Sequence, residues 1–381
     1  MNRPAYLLLI TTLLLLPGLA LAQLPTPPTI NATSHILVDH ASGQILSQAN
    51  ADEQVEPASL TKVMTAYVVF YELREGNIGI DDIVRVSEKA WRMGGSRMFI
   101  EVNTEVSVRD LLKGMIIQSG NDASVALAEH VAGAEEAFTM LMNQHARRLG
   151  MHNSHFVNSH GMPHDDHLTT ARDMAILARA LINEFPEYFR WYSQREFTYN
   201  GIRQHNRNRL LWRDESVDGL KTGHTSRAGY CLAATAEREG MRLITVVMGT
   251  ASENARAVET QKLLNYGFRF FDSLEWRQAG EPLRSVPVFK GASDQLAVGV
   301  DQTVNVVVPR GQRDRVRTIK TIDGPLIAPI SAGQRVGTLR VVLGDELLAE
   351  RPLRALEAVE PAGFFGRLVD RVKLFFAGEG E

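Results

Sequence analysis

Along the chain, apolar residues recur with two periods, and the switch between them marks out the elements. "HILVDHASGQILSQ" (35–48) reads as two short strands around Ser42-Gly43, a hairpin. From Ser59 the spacing becomes helical: Leu60, Val63, Met64, Tyr67, Val68 and Tyr71 fall at i, i+3, i+4, i+7, i+8 and i+11. Such a stripe predicts a helix buried on most sides. Residues 76–104 read as loop and short strands, and "WRMGGSRM" with Gly94-Gly95 is expected to form a mobile flap. Further helices are predicted at 107–116, 121–132, 134–149 and 170–184. "GYCLAATAERE" and "MRLITVVMGT" predict adjacent antiparallel strands, and a helix follows from Asn254 to Phe271. Strands at both ends with helices between them imply an α+β domain whose sheet is assembled from distant parts of the chain.

Composition shifts near residue 276. Residues 281–358 hold alternating stretches such as "TVNVVV" and "VGTLRVVL" between Gly and Pro turns, which predicts a small all-β domain without a catalytic constellation. The expected division is therefore 1–22, 23–34, 35–276, 277–360 and 361–381. In the first segment, "MNRPAYLLLITTLLLLPGLALAQ" carries Arg3, an apolar run and the small-x-small sequence Ala20-Leu21-Ala22. It reads as a secretory signal cut after Ala22. No cysteine follows the cut, so a lipoprotein is excluded. Residues 23–34 are proline-rich and polar, a tether. In "PAGFFGRLVDRVKLFFAGEGE" the residues Phe364, Phe365, Leu368, Val369, Val372, Phe375 and Phe376 fall near a 3.6-residue period, with Arg367, Asp370, Arg371 and Lys373 mostly on the remainder. This is the pattern of an amphipathic helix lying on a membrane surface, too short and too charged to span it.

The 381 residues are natural for two domains, and 44% hydrophobic residues supply sizeable cores. A net charge of −3 argues against a nucleic-acid footprint. Cys231 is the single cysteine, which excludes a disulfide framework and a thiolate metal cluster within the chain.

Candidate chemistry begins at "EPASLTKVMT" (56–65). A helix start favours Ser-x-x-Glu, because a carboxylate answers the free N–H groups and the positive end of the dipole. Here Lys62 occupies the glutamate's place, one turn from Ser59. A serine hydroxyl is a poor nucleophile until a base takes its proton. A lysine is that base if burial, the helix end or a nearby cation lowers its pKa. The alternative is a capping serine beside a solvated lysine. "IIQSGNDAS" adds Ser119, able to relay a proton to a leaving amine, and Asn121, able to hold an amide with its two-sided side chain. A helix cap is the alternative there. "VDGLKTGHTSRAGY" places Lys221-Thr222-Gly223 at the front of a predicted edge strand that could pair with an extended peptide. Lys221 and Thr222 suit a carboxylate, and Gly223 clears space. A surface hairpin is the alternative.

In this order, Ser-x-x-Lys, Ser-x-Asn and Lys-Thr-Gly resemble the active-site set of penicillin-binding proteins and serine β-lactamases. The longer runs "PASLTKVMTAY", "MIIQSGNDAS", "TARDMA", "NRNRLLW", "DGLKTGHT" and "KLLNYGFRFF" resemble the low-molecular-weight D-alanyl-D-alanine carboxypeptidases, from about residue 30 to the C-terminus. The resemblance implies a transpeptidase-like α+β domain, a small all-β domain and a terminal amphipathic helix. It implies that Ser59 attacks the carbonyl between two D-alanines, with Lys62 as base. The backbone N–H groups of Ser59 and His224 would form the oxyanion hole. Ser119 and Lys221 would protonate the leaving D-alanine, and Lys221, Thr222 and Arg256 would hold its carboxylate. The implied partners are stem peptides ending in D-Ala-D-Ala, β-lactams, and the outer face of the cytoplasmic membrane through the terminal helix. No cofactor or metal is implied. The cluster His152, His155, His160, His164 and His167 with Asp165 and Asp166 is read as a polar loop near the cleft. Competing readings are a serine β-lactamase, for which no Glu-x-x-x-Asn deacylation element is found between Ser119 and Lys221, and a non-catalytic cell-wall module.

Overall fold

The structure is a computed structural model and describes residues 25–363. The signal sequence and the amphipathic helix beyond Gly363 lie outside the described residues.

The first domain is built on a five-stranded antiparallel sheet. Its strands are β1 (Ser34–Asp39) and β2 (Ile45–Ala49) from the start of the domain, and β7 (Val217–Thr225), β8 (Gly229–Arg238) and β9 (Met241–Thr250) from its end. The order is β2-β1-β9-β8-β7, so distant segments meet where Leu37 pairs with Thr245. Between them come two small hairpins, β3 (Ile83–Arg85) with β4 (Glu105–Ser107) and β5 (Glu196–Tyr199) with β6 (Ile202–His205). The helices are α1 (Thr61–Glu75), α2 (Glu88–Trp91), α3 (Val108–Lys113), α4 (Asn121–Ala132), α5 (Glu135–Leu149), α6 (Ala171–Glu184), α7 (Pro186–Phe189), α8 (Leu210–Arg213) and α9 (Glu253–Phe270).

Side chains on a strand alternate between faces, and here both faces are apolar. Ile36, Val38, Ile244 and Val246 join the core shared with α1, α4 and α6. Leu37, Leu243 and Val247 face the other way, against Leu263 and Leu264 of α9. The ten residues Thr61–Phe70 of α1 are all buried, which is the central helix that its apolar stripe predicted. Gly76 ends it at φ 76°, a left-handed conformation that glycine adopts without a Cβ clash. The helix expected at 107–116 divides: α3 stops at Lys113 and a single π-turn, Gly114–Gln118, carries the chain to Ser119.

Two segments are more firmly seated than the sequence suggested. Asn31 N–H donates to Glu259, Thr33 N–H to the Met248 carbonyl and Tyr266 Oη–H to the Pro25 carbonyl, so residues 25–33 lie on the domain rather than swinging as a tether. The Gly94-Gly95 segment is tied to α4 by two hydrogen bonds from Asn121.

The second domain is all-β: β10 (Phe271–Arg277), β11 (Arg284–Phe289), β12 (Gln295–Gly299), β13 (Val304–Pro309), β14 (Val316–Ile322), β15 (Leu326–Ile327), β16 (Arg335–Leu343) and β17 (Glu346–Ala355). Strands β10 and β13 pair with each other, and the other six form one sheet in the order β14-β16-β17-β12-β11-β15. Valines such as Val298, Val304, Val306 and Val341 fill its core. The composition shift near residue 276 falls at the end of β10, which begins directly after α9.

Candidate active site

A 3₁₀ turn, Ala58–Leu60, leads into α1 and places Ser59 at the cleft with its hydroxyl partly exposed. Ser59 does not cap the helix: neither the turn nor α1 has a side-chain cap. Ala58 stands at φ 47°, a left-handed conformation that a non-glycine residue adopts at a cost.

Lys62, one turn on, is 1% exposed. Its Nζ lies 3.0 Å from Ser59 Oγ, 2.7 Å from Asn121 Oδ1 and 2.6 Å from the His160 carbonyl. Burial lowers its pKa to about 7, against a smaller upward pull from Asp122. A protonated amine could donate to all three oxygens. Once deprotonated, the amine offers Ser59 a lone pair. The solvated-lysine alternative is therefore excluded, and burial rather than a second cation does the lowering.

Ser119 follows the π-turn at φ 70°. Among the described residues its buried Oγ has no hydrogen-bond partner, which leaves the hydroxyl available to a bound group. Gly120, not Ser119, precedes α4 as its cap. Asn121 opens α4, with Oδ1 on Lys62 and Nδ2 on the Gly94 carbonyl at 2.7 Å. Those two partners fix the amide's orientation and leave one N–H free. Asn121 is thus a brace between the base and the 94–96 loop before it is a ligand for anything else. The next residue holds the same loop: Asp122 accepts from the N–H groups of Met98, Phe99 and Ile100.

Strand β7 forms the opposite wall, and it is an edge strand of the sheet. Lys221 is 2% exposed and donates to the Thr222 carbonyl at 3.0 Å. Burial first, then Lys62, Arg256 and Arg207, push its pKa well below the ordinary lysine value. A Cβ on Gly223 would lie 3.1 Å from Ala58 Cβ and 3.2 Å from the Ser59 nitrogen. Glycine is what lets the strand close against the nucleophile's turn. Arg256 reaches in from α9 and donates to the Gly223 carbonyl at 3.2 Å, with Tyr230 under its guanidinium. His224 stacks on Tyr230, ring centroids 3.9 Å apart.

A cavity of about 200 Å³ is lined by Ser59, Ser119, Thr222, Gly223, His224 and Arg256, together with Ser96, Arg207, Tyr230 and Glu253. Lys62, Asn121 and Lys221 stand behind this wall, so all nine candidates converge on one site. The last four lining residues were not singled out from the sequence. Arg207 lies inside the quoted run "NRNRLLW", which was the available signal, and its place beside the buried Lys221 is visible only in the structure. The same run builds the wall, for Asn208 Nδ2 donates to the Gly219 carbonyl at 2.9 Å.

The histidine-rich loop divides. His160 lends its carbonyl to Lys62, and His167 hydrogen-bonds Thr61 at 2.7 Å. His164 is exposed. Among the described residues no group of three or more His, Cys, Asp or Glu could hold a metal ion. Cys231, on β8 opposite Gly223 of β7, is fully buried, and burial raises its thiol to about 11.

Comparison with known proteins agrees with this geometry. The family model described as D-alanyl-D-alanine carboxypeptidase matches residues 22–252, and that of the penicillin-binding protein 5 C-terminal domain matches 271–361. The chain is 44% identical over 365 residues to D-alanyl-D-alanine carboxypeptidase DacC of Escherichia coli, covering 94% of this chain and 91% of that one. Penicillin-binding protein 5 from Haemophilus influenzae superposes with a TM-score of 0.86 at 40% identity, over 88% of this chain and 99% of that one. Penicillin-binding protein D2 from Listeria monocytogenes, solved in an ampicillin-bound form, gives 0.58 at 32% identity over 63% of this chain and 98% of that one. With both of its domains matched and the three motifs gathered at one cavity, the chain belongs to the D-alanyl-D-alanine carboxypeptidase family of low-molecular-weight penicillin-binding proteins.

Proposed function

We infer that this chain removes the terminal D-alanine from peptidoglycan stem peptides ending in D-Ala-D-Ala, through an acyl-enzyme on Ser59, and that β-lactams acylate the same hydroxyl. The observation that carries the reading is the buried Lys62 amine, with a pKa near 7, at 3.0 Å from Ser59 Oγ. Lys62 takes the Ser59 proton as Oγ bonds to the carbonyl carbon. The developing oxyanion is met by the N–H groups of Ser59 and His224, which need no reorganisation during the reaction. The tetrahedral intermediate collapses by breaking the C–N bond. The proton that Lys62 took passes by way of Ser119, with Lys221 near it, to the leaving amine, so that Lys62 is neutral again and Ser119 keeps its hydrogen. Lys221, Thr222 and Arg256 hold the terminal carboxylate, and Arg207 adds charge at the same end. An arriving carboxylate raises the Lys221 pKa again and restores its ammonium. Asn121 directs its remaining N–H at the substrate amide. Water then adds to the ester, which releases the shortened peptide and returns the proton to Ser59.

The N-terminal sequence supports export, and the amphipathic C-terminal pattern supports attachment to the outer face of the cytoplasmic membrane. Residues 35–276, with 25–33 lying against them, would then be the catalytic domain, and 277–360 the spacer that carries it above the membrane.

The test is release of free D-alanine from a pentapeptide, measured beside penicillin turnover. Rapid release with slow penicillin turnover is expected. Fast turnover without D-alanine release would make the chain a β-lactamase, and neither activity would make it a binding module. Ser59→Ala should remove D-alanine release and covalent labelling by fluorescent penicillin together, and persistent labelling would displace Ser59 as nucleophile.

A further inference from the structure

The buried ring of His167 has no part in the chemistry just described, yet it touches Thr61, two residues beyond the nucleophile. The hydrogen bonds around it admit one arrangement. Val157 N–H donates to Nδ1 at 3.0 Å, so Nδ1 carries no proton and a neutral ring carries it on Nε2. Nε2 lies 2.7 Å from Thr61 Oγ1. Thr61 spends its own hydrogen on the Ala58 carbonyl at 2.8 Å, so it accepts from the ring. The result is a directed chain from Val157 N–H through His167 and Thr61 to the carbonyl of Ala58. Each donor is used once, and the members polarise one another in the same sense.

Ala58 is a position that needs holding. Its φ of 47° is sparsely populated for a residue with a side chain, and Ser59 follows directly. The far side of its carbonyl is closed by Gly161, where a Cβ would fall 1.9 Å from the Ala58 oxygen. The loop that carries His167 also supplies the His160 carbonyl to Lys62 at 2.6 Å. One loop therefore grips both the turn that aims the nucleophile and the base that activates it.

We propose that His167 is a positioning residue for acylation: as a neutral Nε2–H donor it locks Thr61 onto the Ala58 carbonyl, which fixes the turn that aims Ser59 Oγ at the scissile carbonyl. This rests on the assignment of Ser59 as the nucleophile. Among the described residues the hydrogen-bond partners of the ring are Thr61 and Val157, and Phe156 packs edge-on at 5.8 Å. Burial, and behind it His160, His155, His164 and Lys62, hold the ring's pKa down near 3, so it stays neutral through the range in which Lys62 titrates. The ring positions a group without moving a proton.

Two isosteric amides separate the halves of the chain. In His167→Gln the amide nitrogen takes the place of Nε2 and keeps the bond to Thr61. In His167→Asn the amide reaches only the place of Nδ1, and Thr61 loses its partner. The readouts are the rate of acylation by fluorescent penicillin, KM and kcat on a pentapeptide, and the pH profile of acylation. His167→Asn should lose about tenfold or more in acylation rate and kcat with KM within about twofold, because a misaimed nucleophile costs the transition state and not binding. His167→Gln should recover to within about threefold, with its acid limb at the wild-type pH. Thr61→Val should reproduce the His167→Asn loss, and the double variant should lose no more than either single one. Equal rates for the Gln and Asn variants, a loss confined to KM, a shifted acid limb in His167→Gln, or multiplying losses in the double variant would overturn the proposal. Should His167→Asn fail to fold, Thr61→Val at wild-type acylation rate would overturn it alone. Acylation by penicillin reads Ser59 directly, so absence of D-alanine release by the wild type would count against the peptide substrate and leave this test standing.

Discussion

The Lys62 amine stands 3.0 Å from the Ser59 hydroxyl, and 1% exposure shuts it from water. Burial disfavours the ammonium and brings its pKa from the ordinary 10.5 to about 7. The sign of the pH dependence follows. Below pH 7 the amine is charged and has no lone pair for the serine proton; above it, the amine is free. Acylation by penicillin should therefore rise about tenfold per pH unit below the midpoint and level off above it. Stopped-flow acylation rates from pH 5 to 9 check this. A rate flat through pH 7 would remove Lys62 as the base.

Gly223 controls how closely β7 approaches that pair. A Cβ there would meet Ala58 Cβ, the Pro57 carbonyl and the Ser59 nitrogen at 3.1–3.2 Å, so one of the walls must give by a few tenths of an ångström. Gly223→Ala should cost about 1 kcal/mol of stability, in the ordinary range for overpacking. The effect on acylation should be larger, on the order of tenfold, because the displaced N–H of Ser59 is one of the two donors proposed for the oxyanion. A thermal melt and a labelling time course separate the two. Unchanged labelling would show that the turn and strand tolerate the extra atom.

Much of this site was legible in the chain because it is carried by local signals. The stripe from Leu60 to Tyr71 marked the buried central helix, and two of the three short motifs stood at the turn into α1 and the start of α4, while Lys221-Thr222-Gly223, expected at the front of a strand, lies in the middle of the edge strand β7. The long-range partners were not legible. Asn121 reaches Lys62 across 59 positions, and His167 reaches Thr61 across 106. No local period encodes such contacts. Helix capping was the competing reading at Ser59 and at Ser119, and neither serine caps a helix. At both places the backbone adopts an unusual conformation, at Ala58 and at Ser119, and local preference yields to the geometry of the site. The Gly94-Gly95 pair reads locally as a mobile flap, but Asn121 holds the carbonyls of Gly94 and Ser96, and Asp122 the N–H groups of residues 98–100, from outside the segment.

Lys221 tests whether the carboxylate end of the cleft needs a lysine or only a charge. It is 2% exposed, and its amine is pushed toward neutrality by burial and by Lys62, Arg256 and Arg207. An arginine keeps its charge at all working pH values and carries a bulkier planar head. Lys221→Arg should therefore lower kcat/KM on the peptide by about a hundredfold, with kcat reduced as well as KM raised, since proton transfer and binding are both lost. A change below about twofold would place Lys221 outside the site.

The last prediction concerns where the enzyme is held. Seven apolar residues between Phe364 and Phe376 recur near a helical period, and the three cations Arg367, Arg371 and Lys373 outnumber the one carboxylate, Asp370. Aromatic side chains on one face enter the boundary between headgroups and acyl chains, while cations on the other meet anionic headgroups. The β-domain closes on itself before that segment begins: Ala362 N–H donates to the Lys290 carbonyl, and Gly291 bridges Pro361. A version ending at Gly363 keeps every one of those bonds, so it should fold and retain D-alanine release. Cells expressing it should yield the enzyme in the soluble fraction after signal cleavage, while the full chain sediments with membranes. Carbonate at high pH should strip the full chain, because a surface-lying helix lacks the length of a span. Equal membrane retention of the two versions would show that the anchor lies elsewhere. Loss of the truncated enzyme's activity on membrane-attached substrate, with free pentapeptide still hydrolysed, would show that the attachment serves to bring the cleft to its substrate.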